Sequence, residues 1–207
     1  IVVMKINYQT KLLELIKTLN YKPSLLLHSC CGPCSTEVIN FLKDYFHITV
    51  YYYNPNIEPF EEYEKRKTEQ IKFIQLFSQE HPEIKLDFLD CDYSHNDYQS
   101  LVLGLENEPE GGLRCHKCYY LRLFNTAQKA QANNYSFFGT TLTVSPYKNS
   151  QIINEIGDSI AKKLEIPFIY GDFKKNDGYK KSILLSQKYN LYRQNYCGCL
   201  YSKGEIK

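Results

Sequence analysis

The feature that most constrains this chain of 207 residues is a ten-residue segment, residues 25–34, in which an apolar run ends in three closely spaced cysteines. The segment reads Leu-Leu-Leu-His-Ser-Cys-Cys-Gly-Pro-Cys, which predicts one short buried strand followed by a tight turn. Val38, Leu42 and Phe46 then recur at helical spacing. A strand, a turn and a helix in this order present a reactive loop at the carboxyl edge of an α/β sheet. The segment therefore predicts a site built on sulfur.

The rest of the chain alternates between segments with strand and helix patterns. Strands are predicted at residues 25–28, 48–53, 84–89, 136–143 and 167–172, and helices at residues 10–20, 35–42, 61–79, 114–132, 153–164 and 183–189. Residues 92–112 are polar and are predicted to be irregular. The alternation is typical of parallel strands flanked by helices. We therefore predict a single three-layer α/β domain over residues 4–207, with the cysteine-rich site at the C-terminal edge of its parallel sheet.

The composition is that of a globular protein, with 43% hydrophobic and 14% aromatic residues. No apolar stretch approaches the roughly 18 residues that a membrane span needs, so no membrane partner is expected. No signal-peptide pattern is visible, which favours a cytoplasmic protein. Met4 is the expected natural start, and residues 1–3 are expected to be a cloning remnant or an alternative start.

Seven of the eight cysteines fall into three groups, which predict a metal or redox site. The groups are Cys30, Cys31 and Cys34; Cys115 and Cys118; and Cys197 and Cys199. Cys91 stands alone and is expected to have no chemical role. In a reducing compartment, clustered cysteines bind metal or carry out redox chemistry more often than they form structural disulfides. The two-residue spacing within the second group allows two thiolates to hold zinc or a [4Fe–4S] cluster, and the spacing does not choose between them.

The same cysteines allow other functions. Cys31-Gly-Pro-Cys34 has the form of a dithiol redox motif after a strand, which is typical of a thiol–disulfide oxidoreductase. The adjacent Cys30 argues against this function, because spare thiols would form wrong disulfides. The single glycine between Cys197 and Cys199 permits either a strained, easily reduced disulfide or a second pair of metal ligands. A structural zinc protein that binds RNA without chemistry is a third possibility.

The net charge of +2 is unevenly distributed along the chain. Residues 1–111 hold 10 basic and 17 acidic residues, whereas residues 112–207 hold 15 basic and 6 acidic residues. The C-terminal half is therefore a candidate for binding a polyanion such as RNA, although lysines also simply solvate helix faces. The candidate phosphate contacts are Lys148, Lys174, Lys175, Lys180, Lys181 and Arg193.

Five blocks of the sequence resemble one known family. The blocks are HSCCGPCS, EPEGGLRCHKCYYLRL, TTLTVSPYK, GDFKKNDGYKKS and LYRQNYCGCLYS. In this order, and over about residues 25–202, they closely resemble the QueH-type epoxyqueuosine reductases. Lys174 is a small departure, because the family usually has arginine there and a forked contact would be lost.

This resemblance implies an oxidoreductase that catalyses the last step of queuosine biosynthesis. The implied reaction reduces the epoxide of epoxyqueuosine, at the wobble position of tRNA, to the cyclopentene, with an iron–sulfur centre and without cobalamin. The implied partners are tRNA with epoxyqueuosine in its anticodon and an electron donor that the sequence does not identify. The resemblance also implies a core similar to the adenine nucleotide α-hydrolase folds, with cysteines where those proteins hold phosphate, which argues against the use of ATP.

The expected metal site combines the first two cysteine groups. Removing an epoxide oxygen needs two electrons, and a low-potential cluster is a suitable source because no side chain supplies them. We expect a [4Fe–4S] cluster with four ligands, Cys30, Cys31, Cys115 and Cys118.

The remaining thiols and one carboxylate are expected beside this cluster. Cys34, Cys197 and Cys199 are expected to form a redox-active pair with one further thiol, or to bind a second, mononuclear iron. Asp172 follows the fifth predicted strand at the same sheet edge. Its carboxylate is expected to bind that iron, to protonate the leaving oxygen, or to pair with a neighbouring lysine such as Lys174.

Overall fold

The structure, a computed structural model, describes residues 6–203 of the chain. Its helices are α1 (Tyr8–Thr18), α2 (Gly32–Leu42), α3 (Phe60–Glu80), α4 (His95–Val102), α5 (Leu113–Ala132), α6 (Ser150–Leu164) and α7 (Gly178–Lys188). Its strands are β1 (Ser24–His28), β2 (His47–Tyr51), β3 (Leu86–Leu89) and β4 (Phe137–Thr140). Short 3-10 helices are formed by Leu142–Val144 and Leu200–Ser202. The expectation about residues 1–3 lies outside the described residues.

The four strands form one parallel sheet in the order β3-β2-β1-β4. Side chains of β1 alternate between the two faces, as strand geometry requires. Leu25 and Leu27 pack into the core beneath α2 and α3, whereas Leu26 packs against α5 and α6. The predicted three-layer α/β fold is therefore confirmed. Among the described residues, no helix is both long and apolar enough to cross a membrane.

The prediction of a fifth strand at residues 167–172 is wrong. This segment lies beside β4, but it forms only an isolated parallel bridge between Phe138 and Phe168. Further along this segment, the backbone forms hydrogen bonds with a side chain of α6 and not with a strand. The Asn154 amide group donates to the Gly171 carbonyl at 2.8 Å and accepts from the Gly171 N–H at 3.0 Å. A side chain that satisfies both backbone groups removes the need for a sheet partner.

Other segments also differ from the prediction, and two of them have a clear structural reason. The fourth strand ends at Thr140 rather than at residue 143, because the Thr140 hydroxyl accepts a hydrogen bond from the Leu142 N–H and the chain turns into the 3-10 helix. Helix α4 lies in the segment predicted to be irregular. Tyr98 and Val102, four residues apart, are both 1% exposed and anchor this helix despite its polar sequence.

Gly32 provides a test of the packing beneath the cysteine turn. A Cβ atom at this first residue of α2 would lie 2.9 Å from the carbonyl oxygen of Glu69 on α3. Gly32→Ala should therefore force the two helices apart and lower the free energy of unfolding by about 1–3 kcal/mol in urea denaturation. Glu14→Ala on the exposed face of α1 is the control, with an expected change within about 0.5 kcal/mol. Equal stability of the two variants would contradict the close approach.

Candidate functional site

The turn between β1 and α2 gathers three thiols. The sulfur atoms of Cys30, Cys31 and Cys34 all lie within 4.8 Å of one another. Cys30 and Cys31 are buried, with their sulfurs 3.8 Å apart, and Cys34 is half-buried at the first turn of α2. The free amide groups of a helix start favour anionic sulfur. Within residues 6–203, this is the group of side chains with spacing suited to a metal ion.

A buried polar network holds this turn in place. Ser29, at its start, donates from its hydroxyl to the Gln70 side-chain oxygen at 2.6 Å. Gln70 in turn donates to the Ser35 hydroxyl at 3.0 Å, and Asn54 donates to the Ser29 carbonyl at 2.8 Å. These four residues are buried and come from three different parts of the chain. The turn is therefore fixed by α3 and by the segment that follows β2, not only by its own sequence.

The three thiols of this group differ in how readily they ionise. Hydrogen bonds from Cys31 and Cys34 hold the pKa of Cys30 well below its usual range, and the charges of Lys148 and Arg122 add to this effect. Burial raises the pKa of Cys31 to about 12, and hydrogen bonding to its two neighbours raises the pKa of Cys34. Cys30 is therefore the thiol of this group that ionises first.

The second and third cysteine groups meet at the start of α5. Cys115 and Cys118 are buried there, and the Gly111 N–H donates to the Cys115 sulfur at 3.2 Å. Burial raises the pKa of Cys118 to about 12 and also raises that of Cys115. The nearby thiols of Cys197 and Cys199 raise both pKa values further, and Cys199 packs in the same small cluster as Cys118. The structure therefore brings these four cysteines into one neighbourhood.

Arg122 connects this neighbourhood to the first cysteine group. It lies one helical turn after Cys118, and its guanidinium is 3.9 Å from the Cys118 sulfur. The same guanidinium donates to the His28 ring at 3.2 Å and to the Asn54 side-chain oxygen at 2.7 Å. Burial first, and then the Arg122 charge, lower the pKa of His28 to about 3, so this histidine is neutral at ordinary pH. Arg122 is 1% exposed, so its charge is shielded from water.

The buried charge of Arg122 has no carboxylate partner within residues 6–203. Among the described residues, no aspartate or glutamate oxygen lies within 4.0 Å of its guanidinium. The ionisable groups that raise its pKa against burial are Cys118, Cys30 and Cys197. An unpaired buried charge is costly, so this cation favours an anionic sulfur centre beside it.

The four predicted cluster ligands come from two cysteine groups, one in the β1–α2 turn and one at the start of α5. Cys30, Cys31 and Cys115 belong to one buried apolar cluster, so the two groups lie on the same side of the sheet. Cys34, predicted beside the cluster, is part of the first group, whereas Cys115 and Cys118 do not join that group within 4.8 Å. The assignment of four ligands to one cluster stays a prediction.

Helix α3 holds the C-terminal tail, the segment that follows α7, beside the first cysteine group. Arg66, which is 1% exposed, donates to the carbonyls of Cys197 and Tyr196 at 3.1 and 3.4 Å. Gln194 donates from its side chain to the Cys31 sulfur at 2.9 Å. The tail therefore reaches the Cys31 thiol through the Gln194 side chain, while Arg66 holds the tail backbone in place.

A cavity of about 220 Å³ opens beside these sulfurs. Its lining includes three cysteines and three further side chains from the C-terminal half of the chain. They are Cys30, Cys34, Cys197, Lys148, Tyr179 and Arg193. The cavity thus exposes sulfur and positive charge to the same small space.

Asp172 lies outside this cavity. It lines a neighbouring one of about 690 Å³, together with Lys148, Lys174 and Lys175. Its carboxylate accepts from the Lys174 ammonium at 2.6 Å, which is the lysine pairing that the sequence left open. Lys175 donates to the Asn7 side-chain oxygen at 2.9 Å.

The other candidate RNA contacts lie on α7 and in the tail. Lys180 and Lys181 are exposed on α7, with the Lys181 ammonium 3.9 Å from a Glu37 oxygen. Arg193 is exposed, and its guanidinium lies 5.4 Å from the centre of the Tyr179 ring. Lys148 differs from these cations because it is half-buried in the cavity with the thiols.

Three buried residues of the site escaped the sequence analysis. Arg122 follows Cys118 by four residues, a spacing that puts both on one helix face and is a usable signal. Arg66 lies in the charged run at residues 64–67, which is typical of a solvated helix face. Gln70 carries no sequence signal, because its role depends on partners in the β1–α2 turn.

Comparison with known proteins gives a consistent set of relatives. A family model described as epoxyqueuosine reductase QueH matches residues 25–205. The epoxyqueuosine reductase QueH of Streptococcus pyogenes serotype M1 is 42% identical over 201 residues, covering 96% of this chain and 78% of the relative. That of Staphylococcus epidermidis is 39% identical, with 96% and 85% covered. That of Thermotoga maritima is 35% identical, with 86% and 90% covered.

Arg66→Met should loosen the tail selectively. The substitution keeps an apolar stem but removes the donors to the Cys197 and Tyr196 carbonyls, each a charge-assisted bond of about 1.5–3 kcal/mol. We expect the amides of residues 196–199 to exchange hydrogen at least about tenfold faster, measured by mass spectrometry. Lys67→Met is the matched control, since Lys67 pairs with Asp90 at 2.6 Å. Unchanged exchange in the Arg66 variant would show that the tail is held by other contacts.

Proposed function

The chain belongs to the QueH family of epoxyqueuosine reductases, and we propose that it reduces the epoxide of epoxyqueuosine at the tRNA wobble position to the cyclopentene. This is the last step of queuosine biosynthesis, and in the proposal it uses iron and sulfur without cobalamin. The observation that carries the proposal is the group of Cys30, Cys31 and Cys34 beside a cavity at the carboxyl edge of the sheet.

The donor set fits an iron–sulfur cluster. Soft thiolates select such clusters, and a cluster held by thiolates is anionic. The buried Arg122 cation, which has no carboxylate within 4.0 Å among the described residues, suits this charge. Cys30, Cys31, Cys115 and Cys118 would hold a [4Fe–4S] cluster. When bound, it supplies electrons at low potential.

The cavity suits a ring rather than a whole nucleotide. Its volume of about 220 Å³ is below the range of about 300–1,000 Å³ that is usual for drug-sized ligands. The epoxide-bearing ring therefore enters the cavity, and the base and ribose stay at its mouth. Tyr179 and Arg193, both lining the cavity, offer flat surfaces for stacking an unpaired anticodon base.

The thiols outside the proposed cluster are proposed to act at the cavity. Cys34 and Cys197 line the cavity, and Cys199 is buried near Cys118. They act as a redox-active pair with one further thiol or as ligands to a second, mononuclear iron. Asp172 holds the Lys174 ammonium in this proposal, because their ion pair at 2.6 Å is in the neighbouring cavity.

The basic residues around the two cavities are proposed to bind the tRNA backbone. Such contacts position the RNA without reading its sequence. Most of these cations lie on the segment from residue 174 to α7 and in the tail. They are Lys174, Lys175, Lys180, Lys181 and Arg193.

The proposed activity predicts a coloured, active protein. Purified without oxygen, it should be brown, contain iron and acid-labile sulfide, and bleach with dithionite. It should also convert epoxyqueuosine in tRNA to queuosine, measured by mass spectrometry of digested nucleosides. Cys30→Ser and Cys115→Ser should each lose most of the iron and the activity, because each removes a cluster ligand.

Cys91→Ser is the matched control for these variants. The Cys91 thiol donates to the Tyr52 carbonyl at 3.1 Å and lines a separate surface pocket, so its loss should leave iron and activity unchanged. A metal-free protein that reduces disulfides would instead indicate a thiol–disulfide oxidoreductase. A colourless zinc protein that does not respond to dithionite would indicate a structural RNA-binding role. Either result would overturn the proposed function.

The proposed backbone contacts predict a steep dependence of tRNA affinity on salt. Each neutralised phosphate contributes about −0.7 to −0.9 to the slope of log affinity against log salt concentration. Lys180→Ala should therefore make this slope shallower by about that amount in filter-binding measurements. The control is Lys85→Ala, whose exposed side chain precedes β3 at the opposite edge of the sheet. An affinity that does not vary with salt would remove the assigned contacts.

A further inference from the structure

Lys148 occupies a different position from the other candidate RNA contacts. It follows β4 and the 3-10 helix at residues 142–144, and its N–H donates to the Ser145 carbonyl at 3.3 Å. Because β4 is the neighbour of β1, this loop lies at the same carboxyl edge as the cysteine turn. Lys148 lines both the cavity with Cys30 and the neighbouring cavity with Asp172. It therefore lies between the thiols of the first cavity and the lysines of the second, Lys174 and Lys175.

The ammonium of Lys148 differs from the neighbouring lysines in its partners. Within residues 6–203, no carboxylate oxygen lies within 4.0 Å of it, whereas Lys174 is paired with Asp172 and Lys181 lies 3.9 Å from Glu37. The ionisable groups near it are three thiols and one phenol. They are Cys197, Cys30, Cys34 and Tyr119. A lysine in a cavity with no carboxylate partner is available to a ligand that enters the cavity.

Other side chains that line the cavity differ from Lys148 in their exposure or in the partners that they contact. The Tyr196 hydroxyl is engaged with the Glu58 carbonyl at 2.6 Å. Arg193 is exposed and lies against the Tyr179 ring, so water screens its charge more than it screens the charge of the half-buried Lys148. Two further phenols line the cavity, those of the exposed Tyr147 and of Tyr179, whose ring faces the Arg193 guanidinium. Tyr147→Phe and Tyr179→Phe distinguish these phenols from Lys148.

We propose that Lys148 is a catalytic residue that donates a proton to the epoxide oxygen as a carbon–oxygen bond breaks, an assignment that rests on the proposed function. Two equivalents of a one-electron reductant supply two electrons. The first carbon–oxygen bond breaks as the ammonium proton passes to oxygen, and the second breaks as another proton arrives from solvent. The oxygen leaves as water, the two carbons form the double bond, and the lysine regains its proton from solvent.

A proton donor is needed because the oxygen becomes strongly basic as the ring opens. A positive charge and an N–H directed at that oxygen stabilise the developing negative charge more than they stabilise the neutral epoxide. Positioned acids of this kind contribute about 10²- to 10⁴-fold to the rate. The same residue would add little to tRNA affinity, since its ammonium lies in the cavity and not on the exposed surface.

The test measures single turnover of iron-loaded protein on an anticodon stem-loop that carries epoxyqueuosine, at saturating RNA and with dithionite as reductant. We expect Lys148→Ala to lower the rate about 10²- to 10⁴-fold, with RNA affinity and iron content within about twofold of the wild type. Ethylammonium, which fills the space with an N–H donor, should restore the rate at least about tenfold. Tetramethylammonium, a cation without an N–H, should not.

The controls separate a proton donor from other roles. Lys85→Ala should keep the wild-type rate. Loss of RNA affinity with an unchanged rate would make Lys148 a phosphate contact. Loss of iron in both Lys148→Ala and Lys148→Met would make it a residue that supports the thiols. Equal rescue by the two cations would make Lys148 a simple charge. A rate loss confined to Tyr147→Phe or to Tyr179→Phe would make that tyrosine the donor. Each of these results overturns the inference.

The proposed function and the inference fail in different ways. Wild-type protein that binds iron and RNA but leaves the epoxide intact refutes both. Wild-type protein that converts the epoxide, beside a Lys148→Ala variant of equal rate, refutes the inference alone.

Discussion

The buried guanidinium of Arg122 is the constraint on which the rest of the site depends. Its hydrogen bonds to His28 and Asn54 satisfy part of its donor capacity, but both partners are neutral. A charge removed from water without a counter-charge costs several kcal/mol. The sulfur atoms around it, beginning with Cys118 at 3.9 Å, are the groups that can carry that counter-charge. The arrangement is stable when the sulfur centre is anionic, as a thiolate group or a thiolate-bound cluster is.

The sulfur centre beside Arg122 is built from parts of the chain that are distant in sequence. The β1–α2 turn supplies the first thiols, the start of α5 the second, and the tail the third. Helix α3 supports two of them through buried polar side chains, with Gln70 beneath the turn and Arg66 on the tail carbonyls. The centre opens on a cavity that also holds Lys148. Sulfur and a positively charged donor in one small space suit the reduction of a strained, oxygen-containing ring.

Much of the fold was predictable because the pattern of residues 25–34 and the alternation of strands and helices depend on local physics. The fifth strand was not, because Asn154 competes for its backbone from another helix. The cysteine groups were visible as spacings, yet the burial of Arg122 and Arg66 beside them was not. Lys148 was grouped with surface lysines because the sequence does not show on which side of a loop a side chain lies. Burial of a charged residue depends on tertiary contacts, which no local pattern records.

The most direct test of the central claim is X-ray diffraction at the iron absorption edge, from crystals grown without oxygen. The account predicts iron bonded to Cys30, Cys31, Cys115 and Cys118, next to the Arg122 guanidinium. Iron bonded to only one of the two cysteine groups, or located away from Arg122, would contradict it.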